Sequence, residues 1–230
     1  MHPELFRIGP FIIHTYGVLI AVGLFVSTWG MQALAKRTGF PDPDKVFDLL
    51  FVVVVSGFIG ARIFYVLQEW DYYREHLLEI FAIWEGGLVY YGGVAGAVAG
   101  HFLYARSAGL PYPAAADFVV PFIALTHGFG RVGCFFAGCC FGKKGIPVQL
   151  YEALFNFALA GFLLWRYRRR NFPGEIFSLY LLFYPAGRFF FEFLRGDQIA
   201  WIFSLTLQQV LSFFFILSGM AVYGICRHRA

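Results

Sequence analysis

Charged side chains are scarce in this sequence. Asp, Glu, Lys and Arg make up 14% of its 230 residues, against about 25% in a soluble globular domain. Together with 59% hydrophobic and 21% aromatic residues and a mean hydropathy of +0.65, that shortage excludes a soluble globular protein. No Lys/Arg-rich arm with interleaved aromatics occurs outside the short 166–170 stretch, and the net charge is only +4, so no nucleic-acid partner is expected. Four cysteines in so apolar a chain make no disulfide framework. The first fourteen residues lack the basic-then-apolar order of a cleavable signal peptide and carry Glu4, Arg7 and His14 instead. The first spanning helix is therefore expected to direct insertion.

What the chain has is apolar blocks long enough to cross a bilayer. Seven are expected as helices, over roughly 15–35, 49–68, 88–104, 114–136, 148–165, 176–194 and 205–225, forming a single all-α transmembrane domain over 1–230. Residues 1–14 read as a short extramembrane lead with Phe6, Phe11 and Ile12 dipping into lipid. Pro41 and Pro43 among charges signal a turn, and the aromatic 69–85 stretch suits headgroup level. The third block is crowded with Gly92, Gly93, Ala95, Gly96, Ala97, Ala99 and Gly100, a composition for close helix–helix contact.

Basic residues are retained on the cytoplasmic side. With seven spans, one side collects ten: Lys36, Arg37, Lys45, Arg106, Arg166, Arg168, Arg169, Arg170, Arg227 and Arg229. The other collects four: Arg7, Arg74, Lys143 and Lys144. The N-terminus is thus expected outside the cytoplasm and the C-terminus inside it. The 166–170 run is read as a topology signal touching anionic lipid.

Chemistry concentrates in 126–142, which holds His127, Arg131, Cys134, Cys139, Cys140 and five glycines. An arginine on an isolated membrane helix costs about 2.5–3.5 kcal/mol, so Arg131 needs a carboxylate, a phosphate or a watery cavity. Arg62, Arg188 and Arg195 also fall in or beside the blocks, with Glu192 four residues from Arg188 and able to pair with it. That leaves an expected positive excess suited to an acidic lipid head, which guanidinium grips bidentately. The alternative is that these arginines snorkel or bond backbone carbonyls. The cysteines admit three readings: small core hydrophobes, a disulfide from Cys134 to Cys139 or Cys140, or reactive or metal-binding thiols near Arg131. Cys-x4-Cys-Cys is not a standard zinc spacing. His127 either faces the same cavity as a base or is simply hydrogen-bonded. Cys226 is read as incidental.

Three runs resemble the prolipoprotein diacylglyceryl transferases, bacterial inner-membrane enzymes of seven spans. Gly130-Arg131-Val132-Gly133-Cys134-Phe135-Phe136-Ala137-Gly138-Cys139-Cys140-Phe141-Gly142 resembles the family signature G-R-x-G-N-F-x-N-x-E-x-x-G. Trp84-Glu85-Gly86-Gly87-Leu88-Val89-Tyr90-Tyr91-Gly92-Gly93 is similar to W-[DE]-G-G-[ML]-x-[FY]-H-G-G, and Tyr184 to Arg195 is similar to Y-x-x-x-R-x-x-x-E-x-[FL]-R. Tyr16-Gly17, Gly60-Ala61-Arg62 with Tyr65, and Gln149-Leu150-Tyr151-Glu152 match more weakly. The resemblance implies transfer of the diacylglyceryl group of phosphatidylglycerol, or another anionic phospholipid, to the lipobox cysteine of a prolipoprotein signal peptide, with release of glycerol phosphate. It implies no metal, nucleotide or other cofactor. It places Arg131 and Arg188 on the phosphate as catalytic groups, with Tyr16, Arg62, Gly130, Cys134, Tyr184, Glu192 and Arg195 shaping the substrate site. The chain departs from the pattern where Tyr91 replaces a histidine and where Cys134, Ala137 and Cys139 replace two asparagines and a glutamate. Tyr91 and Cys139 are the candidates at those altered catalytic positions, and tyrosine, with an ordinary pKa near 10, is the poorer base. Besides this transfer, the residues leave open a same-fold paralogue with another lipid or acceptor, and a non-enzymatic lipid- or metal-binding membrane protein.

Overall fold

The computed structural model describes residues 4–8, 11–82, 86–198 and 205–229. The first element is a hairpin of β1 (Glu4–Ile8) and β2 (Phe11–His14), antiparallel, with an irregularity between Glu4 and Phe6. This hairpin lies in the segment read as an extramembrane lead and is held by backbone pairing, an element the all-α expectation does not contain. Side chains of Phe11 and Ile12, expected to enter lipid, lie outside the described residues, as do Trp84 and Glu85 of the second motif.

Helices follow: α1 (Thr15–Thr38), α2 (Pro43–Gln68), short α3 (Trp70–Tyr73), α4 (Tyr90–Ser107), α5 (Tyr112–Ala137), α6 (Val148–Tyr167), α7 (Glu175–Glu192) and α8 (Leu207–His228). Their ends have local causes. The Gly39 N–H closes on the Ala35 carbonyl at 2.8 Å with Gly39 at φ 69°, a left-handed stop that glycine tolerates. Asp42 accepts from the Asp44 N–H and Pro43 occupies the first turn of α2, where a missing N–H does no harm. Thr206 and Gln209 close a reciprocal capping box on α8.

The chain packs as two compact units, 1–34 with 113–230, and 35–112. In the second unit α2 packs on α4 through the small residues the sequence singled out. A Cβ at Gly60 would stand 2.8 Å from the Gly96 Cα, so only glycine lets these backbones approach. In the first unit Phe118, Val148, Leu163 and Ile176 are fully buried, and Asp117 of α5 accepts the Gly174 and Phe177 N–H groups at 2.8 Å each, fixing the start of α7. Arg166 is paired with Glu175 across the α6–α7 turn, a structural bond inside the run read as a topology signal.

By length and composition α1, α2, α5, α6 and α8 can each cross a membrane. Large apolar side chains on them face outward, Phe25, Trp29, Phe51, Leu154 and Phe214 among them. The molecule is an all-α multi-pass membrane protein carrying one small hairpin. The other two expected spans form helices of 18 residues, α4 diluted by glycine and tyrosine and α7 carrying Glu175, Arg188 and Glu192.

Candidate active site

The site grows from three helices of the first unit. Arg131 lies one and a half turns from the end of α5, Glu152 in the second turn of α6, and Arg188 one turn from the end of α7. A charge deep in an apolar helix must find a partner within the protein. Glu152 supplies it for both arginines. Arg188 donates from NH1 to Glu152 Oε1 at 2.6 Å, and Arg131 Nε stands 2.9 Å from Glu152 Oε2. The Arg131 Nε–H itself points at His127 Nε2 (3.2 Å), so its contact with Glu152 is one of charge rather than an aligned hydrogen bond. Arg188 also reaches Glu192 Oε2 through NH2 at 2.9 Å, while Glu192 Oε1 accepts from the Thr206 hydroxyl at 2.7 Å. Arg195, on the turn after α7, is held by both oxygens of Asp197 at 2.9 and 2.6 Å.

The expected positive excess is thereby corrected. Arg131, Arg188 and Arg195 meet Glu152, Glu192 and Asp197, three charges of each sign. Glu152 and Asp197 had not been weighed as counter-charges, although a carboxylate inside an apolar helix is itself the signal of an internal partner.

His127, Arg131, Glu152, Phe155, Asn156, Tyr184, Arg188 and Phe191 line a small cavity of about 10 Å³, roughly the room of one water molecule. Sites for drug-sized ligands run to roughly 300–1,000 Å³, so this cavity is closed around its own ion pairs, and a larger anion enters only by displacing Glu152 from the guanidiniums. Arg131 contacts protein through Nε, and among the described residues its terminal nitrogens carry no hydrogen bond, which leaves an edge for an anion. The His127 ring lies 5.2 Å from that of Tyr184, and its Nε2 lone pair already receives Arg131.

The structure brings Arg131, Arg188, Glu192 and Tyr184 together around this cavity and its wall. Tyr16 packs against α5, where a Cβ on Gly133 would meet its ring at 2.9 Å. Gly130 faces Ile20 of α1. Arg62 and Tyr91 belong to the other unit. Arg62 donates to the carbonyls of Glu79, Ile80, Gly86 and Gly87 at 2.7–3.2 Å beside the rings of Tyr65 and Tyr73, the carbonyl-bonded alternative of its two readings. Tyr91 is exposed at the start of α4 with its ring edge-on to Tyr90.

Past α5 the chain reverses at Gly138 (φ 74°) and Cys140 (φ 59°). Cys139 donates its N–H back to the Cys134 carbonyl at 3.2 Å, and its own carbonyl accepts from Gln149 Nε2 at 2.8 Å. All four cysteines are free thiols. A thiol–thiol contact with Cys134, aided by the Arg195 guanidinium, holds the Cys140 thiol down to about 5, whereas burial pushes that of Cys139 up. The loop is tied to the end of α7 by Lys143 N–H to Leu194 carbonyl (2.8 Å) and Gly196 N–H to Phe141 carbonyl (3.0 Å).

Known proteins resemble this chain over nearly its whole length. The family model for prolipoprotein diacylglyceryl transferase matches residues 3–225. The chain is 33% identical over 249 residues to the phosphatidylglycerol–prolipoprotein diacylglyceryl transferase of Clostridium tetani, covering 100% of this chain and 99% of the relative. It is 35% identical over 248 residues to the enzyme of that name from Geobacillus kaustophilus, covering 96% and 91%. With the second such transferase of Clostridium perfringens it shares 33% over 233 residues, covering 93% and 91%.

Proposed function

The chain belongs to the prolipoprotein diacylglyceryl transferase family and is a transferase, and on that premise we propose that it moves the diacylglyceryl group of phosphatidylglycerol to the lipobox cysteine of a prolipoprotein. The observation that carries the reading is the convergence of Arg131 and Arg188, from separate helices, on one carboxylate at one small cavity. The phosphodiester head enters there and takes guanidinium donors that Glu152 otherwise occupies. The incoming sulfur attacks the carbon of the diacylglyceryl group that bears the phosphate ester. A C–S thioether forms, the C–O bond breaks, and glycerol phosphate leaves with the bonding pair. The thiol proton is assigned to Glu152, whose carboxylate is released as the phosphate takes the two guanidiniums. The phosphate charge rises from −1 to −2 as the ester breaks, and two fixed guanidiniums stabilise that rise without reorganising. Tyr184 lines the lipid head's pocket, and Glu192 and Arg195 hold the wall behind it.

The reading includes seven spans in one membrane domain, the N-terminus outside and the bacterial inner membrane as location. The ten-to-four division of basic residues supports that orientation. A specific observation favours a second reading, the same chemistry with a different acceptor: Tyr91, Cys134 and Cys139 stand where the family pattern has histidine, asparagine and glutamate. Expression in cells depleted of their own diacylglyceryl transferase tests the choice. Rescue by the wild-type chain, lost in Arg131→Ala and Arg188→Ala, supports the prolipoprotein acceptor. A stably expressed chain that consumes phosphatidylglycerol without lipidating prolipoprotein would move the reading to the second.

A further inference from the structure

The reversal after α5 brings together side chains that the proposed transfer leaves unused. Gly138 and Cys140 both take left-handed backbone, and Cys140 does so against the preference of a residue with a Cβ. The turn carries Cys139 and Cys140 back over the last turn of α5, where Cys134 sits. The three sulfur atoms consequently lie within 4.8 Å of one another, Cys139 exposed and the other two half-buried. Around a zinc-like ion with metal–sulfur bonds of about 2.3 Å, neighbouring thiolate sulfurs stand roughly 3.8–4.0 Å apart. Closing the present triangle takes about 1 Å of side-chain motion or less. The Cys-x4-Cys-Cys spacing is only a weak zinc signal, because the left-handed turn, not the spacing, makes the site.

We propose that Cys134, Cys139 and Cys140 form a three-thiolate site for a soft metal ion of the zinc class. All-sulfur ligation selects zinc, cadmium or copper(I) over magnesium or calcium. Whichever of the three sulfurs are still protonated lose their protons to solvent as the ion binds. Three thiolates and a divalent ion sum to −1, and the Arg195 guanidinium standing against Cys140 offsets that charge. The exposed Cys139 side leaves the fourth position open to water or a further ligand. Bonds from Lys143 to Leu194 and from Gly196 to Phe141 already tie the loop to the end of α7, so a bound ion would fix α5, the loop and α7 together. The site stands independently of the transfer reaction.

The test uses the reduced full chain in detergent. Equilibration with Zn2+ and removal of the free ion should leave one ion per chain, and Cd2+ should give a thiolate charge-transfer absorption. The Cys134→Ser/Cys139→Ser/Cys140→Ser variant should lose both signals while Cys226→Ser keeps them. Each single variant should weaken binding roughly tenfold or more, at least what losing an outer-shell partner costs. A measurement that needs no variant runs in parallel: Zn2+ should slow alkylation of these three thiols in the wild-type chain, with Cys226 as the unprotected reference. Retention of the ion by the triple variant overturns the proposal. So does a wild-type chain that binds no ion and shows equal alkylation with and without Zn2+.

Discussion

Replacing Glu152 by glutamine should separate binding from turnover. Glu152 holds Arg188 NH1 at 2.6 Å and stands 2.9 Å from Arg131 Nε, with all three side chains largely out of solvent. An anionic head entering the cavity must displace that carboxylate from the guanidiniums. A hydrogen bond to a charged group is worth about 1.5–3 kcal/mol, so relieving one such competitor should tighten glycerol phosphate binding by roughly 10- to 150-fold. Glu152→Gln keeps the shape but accepts no proton, so transfer from phosphatidylglycerol vesicles to a lipobox peptide should fall by about 100-fold or more, within the range for general-base loss. Removing one partner of a buried pair costs about 3–5 kcal/mol. The loss here sits at the low end, because Arg188 keeps Glu192 and the amide oxygen still accepts one bond. Calorimetric titration with glycerol phosphate and initial rates on the same detergent preparation check both arms. Unchanged or weaker binding together with turnover within threefold of wild type would refute the idea that Glu152 both holds the phosphate's place and accepts the proton.

Arg131→Lys keeps the charge but loses the planar fork, and turnover should drop about 100- to 1,000-fold, as for an oxyanion donor; near-normal initial rates would refute bidentate capture. Cys140, held to about 5, should be alkylated by iodoacetamide at neutral pH and slow as pH falls through about 5, since the thiolate is the nucleophile. Cys139, pushed up by burial, should lag until alkaline pH, and mass-spectrometric peptide mapping against pH distinguishes the two. Gly60→Ala puts a methyl about 2.8 Å from the Gly96 Cα and should destabilise the chain by about 1–3 kcal/mol as overpacking does; an unshifted thermal transition in detergent would show that α2 and α4 are not in close contact.

Helix positions were legible because uninterrupted apolar runs leave few alternatives. Except at the start of α2, each helix end falls within three residues of its expectation. Helix α2 begins six residues early, at Pro43 rather than 49, because Pro43 was read as a turn residue when it occupies the first turn under the Asp42 cap. The hairpin at Glu4–His14 depends on pairing between two short strands, which no run of hydropathy announces. At the site, Arg131 and Arg188 stand out by their cost in an apolar helix, Glu192 by its i+4 spacing from Arg188, and Tyr184 by the third motif. Glu152 was quoted only as part of a weaker motif, although the same cost argument applies to it. The sulfur cluster was beyond reach of spacing, since it depends on the sign of φ at Cys140.

The balance of three arginines against three carboxylates bears on how such a site works. A cavity between membrane helices cannot hold uncompensated guanidiniums cheaply, so Glu152 and Glu192 keep the arginines charged and oriented while no lipid is bound. On the proposed reaction the phosphodiester enters with one negative charge, the same as the carboxylate it displaces from the guanidiniums, and ground-state binding gains little from the exchange. As the ester breaks, the phosphate acquires a second negative charge. The guanidiniums then interact more strongly with the transition state than with either the resting carboxylate or the intact lipid. Differential binding of that kind raises the rate rather than merely the affinity. It requires the carboxylates as much as the arginines, because an unpaired basic cavity would hold the substrate and the departing glycerol phosphate tightly alike.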